Sequence, residues 1–111
     1  MSAPDATKGG AVIRVGLLVR VHAKPGKEAE VAQFLADAQA IVEQEPDTRA
    51  WFAVQFDAST FGIFDVFPDD AGRQTHLAGG VGTELAQRAD ELFTASPAIE
   101  NVDVLASKIP S

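Results

Sequence analysis

Proton chemistry near neutral pH in this 111-residue chain rests on two histidines and sixteen Asp and Glu residues. Cysteine and tyrosine are both absent, which excludes thiolate nucleophiles, disulfides, thiolate zinc sites and phenolic acid–base groups. His76 is the first candidate for catalysis. Its imidazole is suited to accept a phenolic proton or to hydrogen-bond a developing oxyanion. The simpler alternative is a partly exposed helix histidine with no chemical role. Asp65 is the second candidate, because it interrupts an aromatic strand whose Phe61, Ile63 and Phe67 share its face. A carboxylate in that setting needs a raised pKa or a partner such as Arg73 or Arg20. It serves either as a base, as a group that positions His76, or as a purely structural carboxylate. Trp51, Phe64 and Phe67 are candidate flat walls of an aromatic pocket, and Arg73 joins them as a substrate-binding candidate. Aromatic residues on strands also serve as plain core, which is the competing reading.

Two histidines plus a carboxylate are the ingredients of a facial-triad metal site. Here the spacing argues against one, because His22 and His76 should lie about 20 Å apart within one subunit. No metal site is expected. Gly79-Gly80-x-Gly82 follows a helix rather than a strand and lacks a following Lys-Ser/Thr, so it is not a phosphate loop. It reads as a helix-breaking connector or as flexible backbone beside a cleft.

The elements that must position these residues are legible from periodicity. Residues 12–23 alternate with period two, Ile13, Val15, Leu17, Val19, Val21 and Ala23 forming one face of a first strand. Residues 28–44 place Val31, Phe34, Leu35, Ala38, Ile41 and Val42 on one helical stripe, and Pro46 stops that helix. Glu43 and Glu45 then sit at the unfavourable end of its dipole. Strands over 48–56 and 60–67 follow as a hairpin. Asp69 caps a short helix through Leu77, a second helical piece spans 83–93, and 99–106 is the last strand. The order is β-α-β-β-α-β, an α+β ferredoxin-like unit: a four-stranded antiparallel sheet with both helices on one face. Residues 1–11 read as a flexible tail and 12–109 as the one domain. The other sheet face stays bare in a single layer, and a homodimer packing sheet on sheet would bury it.

Composition narrows the function classes. Nine Lys and Arg against sixteen Asp and Glu give a net charge of −7, which repels phosphate backbones, so no nucleic-acid partner is expected. No apolar stretch approaches the roughly 20 residues of a membrane span, so no membrane partner is expected either. The lack of cysteine fits a cytoplasmic location.

The segment Phe61-Gly62-Ile63-Phe64-Asp65-Val66-Phe67-Pro68-Asp69-Asp70-Ala71-Gly72-Arg73-Gln74-Thr75-His76-Leu77 resembles the antibiotic biosynthesis monooxygenase family. Lys24-Pro25-Gly26-Lys27 with Glu28-Ala29-Glu30-Val31 resembles it at the start, and Val102-Asp103-Val104-Leu105-Ala106 at the close. The resemblance covers residues 12–109. It implies a dimeric α+β barrel with a ligand cleft between helices and sheet. It also implies a cofactor-independent monooxygenase that oxidises a small quinol- or anthrone-like aromatic with O2, its substrate anion reducing the oxygen. In that role His76 is base or oxyanion partner, with Asp65 orienting it. Phe67 stands where the family often has Trp, and Val19 where haem-degrading members carry Asn, which disfavours haem. The alternatives are a non-catalytic barrel holding a hydrophobic ligand, or a haem binder using His76 as axial ligand.

Overall fold

The structure is a computed structural model that describes residues 12–110. The expected tail over 1–11 lies outside the described residues. Four strands, β1 (Val15–His22), β2 (Ala50–Gln55), β3 (Thr60–Phe67) and β4 (Ala98–Asp103), form one sheet in the order β2-β3-β1-β4. Every neighbouring pair is antiparallel. Helices α1 (Glu28–Asp37) and α2 (Gln39–Val42) connect β1 to β2, and α3 (Asp70–Leu77) and α4 (Gly80–Leu92) connect β3 to β4. This is the expected β-α-β-β-α-β order, with each connection built from two helical pieces.

Period-two alternation sorts the central strands. Leu17, Val19 and Val21 of β1 and Phe61 and Ile63 of β3 are buried with Val31, Phe34 and Leu35 of α1 and Val81, Leu85 and Leu92 of α4. The register pairs Val19 with Ile63 and Leu17 with Asp65, so Asp65 points to the same helix-covered side. Residues of the other parity face away from the helices. Phe52 there is 55% exposed, Val54 and Phe56 are exposed too, and the Arg20 guanidinium lies 4.2 Å above the Phe56 ring.

Strands β1, β2 and β4 are shorter than the expected 12–23, 48–56 and 99–106, and two helix boundaries also differ. The helix over 28–44 divides at Ala38, where the amide is shared between the Phe34 and Leu35 carbonyls and the Ile41 amide bonds back to Ala38. That tightened turn redirects the chain toward β2. The helix expected over 83–93 starts at Gly80 instead, with Gly79 as its extended N-cap. The glycines begin α4 rather than break it. A Cβ at Gly82 would collide with the Leu77 carbonyl, so only glycine lets the end of α3 approach α4 this closely.

Candidate active site

The site forms where β3, α3 and the connection after α2 meet. Asp69 adopts extended backbone, and its side chain accepts a 2.9 Å hydrogen bond from the Gly72 amide, which starts α3. His76 falls on the buried side of this helix, six residues on from Asp70, and its ring packs 5.2 Å from that of Phe67. The chain leaving α2 turns through Glu45-Pro46-Asp47-Thr48, closed by the Thr48 amide on the Glu45 carbonyl at 3.2 Å. Proline at the second position favours this turn. It brings the Glu45 side chain against His76 from the side opposite β3.

His76 therefore lies between two carboxylates. Its Nδ1 is 2.6 Å from Glu45 Oε1, and Thr48 Oγ1 donates to that same oxygen at 2.7 Å. An ionised carboxylate only accepts, so Nδ1 carries the hydrogen. On the other side Nε2 is 2.9 Å from Asp65 Oδ2. This contact is close enough for an ion pair but lies off the hydrogen-bonding axis, and neither Asp65 oxygen has an aligned donor. Asp65 is only 1% exposed. Burial pushes its carboxyl above the ordinary carboxylate range, against the opposing pull of His76. For His76, burial favours the neutral ring, but Asp65 and Glu45 together outweigh it and hold the imidazole above its ordinary value. Both shifts favour keeping protons on the Asp65–His76 pair.

This pair lines a cavity of about 430 Å³ whose other walls are mostly aliphatic: Leu17, Val19, Ile63, Val81, Leu85 and Ile99 among them. No Lys or Arg among the described residues lines it. A neutral, flat, apolar molecule matches such a site in size and polarity. Glu45 and Asp65 approach different ring nitrogens from opposite sides, so the three groups do not converge on one point as metal ligands must.

Of the residues singled out in the sequence, His76 and Asp65 are brought into contact. Phe67 shares the parity of Asp65 and supports the His76 ring, but it does not line the cavity. Trp51 is the register partner of Asp65 on β2, yet it lines a separate hollow with Ala32, Leu35 and Phe61. Phe64 is one residue from Asp65 and so projects from the opposite sheet face, beside Phe52 and Val66. Arg73 pairs with Asp70 at 2.8 Å and donates to the Gly16 and Val102 carbonyls. It ties α3 to β1 and β4, and the expected partnership of Asp65 with Arg73 or Arg20 is replaced by His76. Glu45 and Thr48 were missed, because nothing in the sequence links a helix-terminal Glu to a histidine 31 residues later.

Neither a family model nor a curated protein matches the sequence. Among solved structures, a protein of unknown function from Nitrosomonas europaea is 47% identical, with a TM-score of 0.89, over 92% of this chain and 99% of that one. The chain belongs to the same family as that protein. Its structural neighbours also include several proteins of the antibiotic biosynthesis monooxygenase family. A proposed antibiotic biosynthesis monooxygenase from Caulobacter crescentus is 15% identical, with a TM-score of 0.73, covering 85% of this chain and 92% of its own. An antibiotic biosynthesis monooxygenase at 18% identity has a TM-score of 0.71 over 83% of this chain and 99% of that one. At these identities the likeness is one of fold.

Proposed function

We propose that this protein is a cofactor-independent monooxygenase that oxidises a small, neutral, quinol- or anthrone-like aromatic with O2. The observation that carries the reading is the buried Asp65–His76 pair in the wall of a mostly aliphatic cavity that no Lys or Arg among the described residues lines. The fold it shares with antibiotic biosynthesis monooxygenases supports the same class. Asp65 removes a proton from the activated CH2 or phenolic OH of the bound molecule. The neighbouring His76 N–H stabilises the charge that develops, and its effect is large because both side chains are buried. The resulting electron-rich anion is itself the reductant of O2. For an anthrone-like CH2, one oxygen atom becomes the new carbonyl and the other leaves as water with the two hydrogens. The base is thus Asp65, with His76 its partner, rather than His76 oriented by Asp65.

Both ring nitrogens of His76 face carboxylates, which leaves neither for an axial bond to haem iron. The exposed outer sheet face, with Phe52, Val54 and Phe56, is suited to a second copy packed face to face, and we assign the protein as a homodimer. Among the described residues no helix is long and apolar enough to cross a membrane.

Oxygen uptake by the purified protein with a panel of anthrones, quinols and catechols tests the activity. Uptake above autoxidation in the wild type, lost in Asp65→Asn, is the expected result. Binding without uptake would replace the enzyme by a ligand-holding barrel.

A further inference from the structure

His76 is a partition. One side of it borders the apolar cavity that holds Asp65, and the other borders a second hollow of about 270 Å³ lined by Gln44, Glu45, Asp47, Thr48, Thr75 and Gly79. The two carboxylates that grip the ring differ in access to water: the Glu45 side chain is 21% exposed, that of Asp65 1%. Only the Glu45 end of the array meets solvent. Thr48 fixes Glu45 Oε1 in line with Nδ1, and Oε2 lies against Gly79, where even a Cβ would stand 3.3 Å from it. The lining of this second hollow is richer in polar side chains than that of the ligand cavity. A proton leaving the Asp65–His76 pair therefore has a route that avoids the ligand.

We propose that Glu45, positioned by Thr48, is the solvent-side end of a proton outlet that discharges the His76 cation and so leaves Asp65 the stronger base. The inference rests on the acid–base reading of the Asp65–His76 pair. In the charged state both ring nitrogens of His76 carry hydrogen and Asp65 is ionised. The Nδ1 proton passes to Glu45 Oε1, which then donates it in a hydrogen bond back to Nδ1 and exchanges it with water on the solvent side. The ring becomes neutral and Glu45 holds the proton. Nε2–H remains facing the Asp65 carboxylate, which has lost its neighbouring cation and is the stronger base toward the ligand. Besides Asp65 and Glu45, the titratable groups that share a hollow with His76 are Asp47 and, on α4, Asp90. No Lys or Arg among the described residues lines either hollow. Glu45 is a positioning and relay residue, since it touches His76 and does not line the ligand cavity.

The outlet is tested without any substrate by NMR of the 15N-labelled His76 ring. Exchange of the Nδ1 hydrogen with water should slow roughly tenfold in Glu45→Gln, because an amide cannot take up and release the proton. It should stay near the wild-type rate in Asp65→Asn. Equal exchange in Glu45→Gln and wild type would overturn the proposal, as would equal slowing in both variants. If Glu45→Gln does not fold, Thr48→Val decides: slower exchange supports the outlet and unchanged exchange overturns it. Oxygen uptake separates this result from the enzyme reading. An intact exchange pattern with no uptake on any compound would remove the monooxygenase and leave the outlet standing.

Discussion

Replacing His76 by Phe keeps a ring of similar shape against Phe67 but strips Asp65 of its ion-pair partner in a site with almost no access to water. At 2.9 Å the pair's direct attraction is about 6 kcal/mol for an effective dielectric of about 20. Desolvating each ion costs several kcal/mol, so most of that attraction is offset. Without His76 the carboxyl must fold as the neutral acid. For a carboxyl with an ordinary value of 3.9 this costs about 4 kcal/mol at pH 7 and about 1.5 kcal/mol at pH 5. His76→Phe should therefore lose about 3–5 kcal/mol near pH 7, within the range for breaking a buried pair, and much less at pH 5. The double variant Asp65→Leu/His76→Phe removes both charges together. It should fall within about 1 kcal/mol of the wild type or exceed it by up to about 4 kcal/mol. Urea unfolding of the wild type, the single variants His76→Phe and Asp65→Leu and the double variant at pH 5 and pH 7 measures these differences directly. A loss in His76→Phe that is the same at both pH values would refute the reasoning. So would a double variant as unstable as the sum of its parts.

The wild type carries a related signature. Asp65 and His76 both have folded-state values above their unfolded ones, so each binds its proton more tightly when folded. Their contribution is complete below the unfolded values and is lost as pH rises through the folded ones. Wild type measured against the double variant should thus lose stability from about pH 4 upward, past the raised midpoint of His76, and a flat difference in unfolding would contradict this. Gly82→Ala should cost about 1–3 kcal/mol, since α3 and α4 must separate at Leu77, and the His76 ring resonances should shift with it. Trp51→Phe removes a buried indole N–H that has no partner, so urea unfolding should find it neutral or up to about 1 kcal/mol more stable. Ala89→Phe should fill the cavity between α4 and the sheet, leaving unfolding free energy within about 2 kcal/mol while abolishing anthrone binding by calorimetry.

Local signals carried much of this fold. The β3 strand and α3 match their expected limits because alternation, Pro68 and the Asp69 cap all act within a few residues of the boundaries they set. Asp65 was recognisable as a carboxylate forced inward by the parity of its strand. The boundary of α4 was not, because glycine is read as a helix breaker unless the neighbouring backbone that requires it is known, here the Leu77 carbonyl. The break at Ala38 leaves no mark on the apolar stripe, which continues through Ile41 and Val42. Parity also decides what the aromatic residues do: Phe64 was grouped with Phe67 by composition, yet the alternation of β3 sends them to opposite faces. Glu45 reads as a poorly placed charge on its own helix. Its role comes from the turn at Pro46 and a contact across 31 positions, which no local pattern encodes.

The most direct measurement is the anaerobic absorption spectrum of an anthrone bound to the protein, because it isolates proton removal from everything oxygen does afterwards. The account predicts that the anion's long-wavelength band appears on binding to the wild type at a pH where free anthrone stays neutral, and that Asp65→Asn binds the same molecule without the band. An unshifted spectrum on the wild type at saturating anthrone, or an anion band of equal strength in Asp65→Asn, would contradict it.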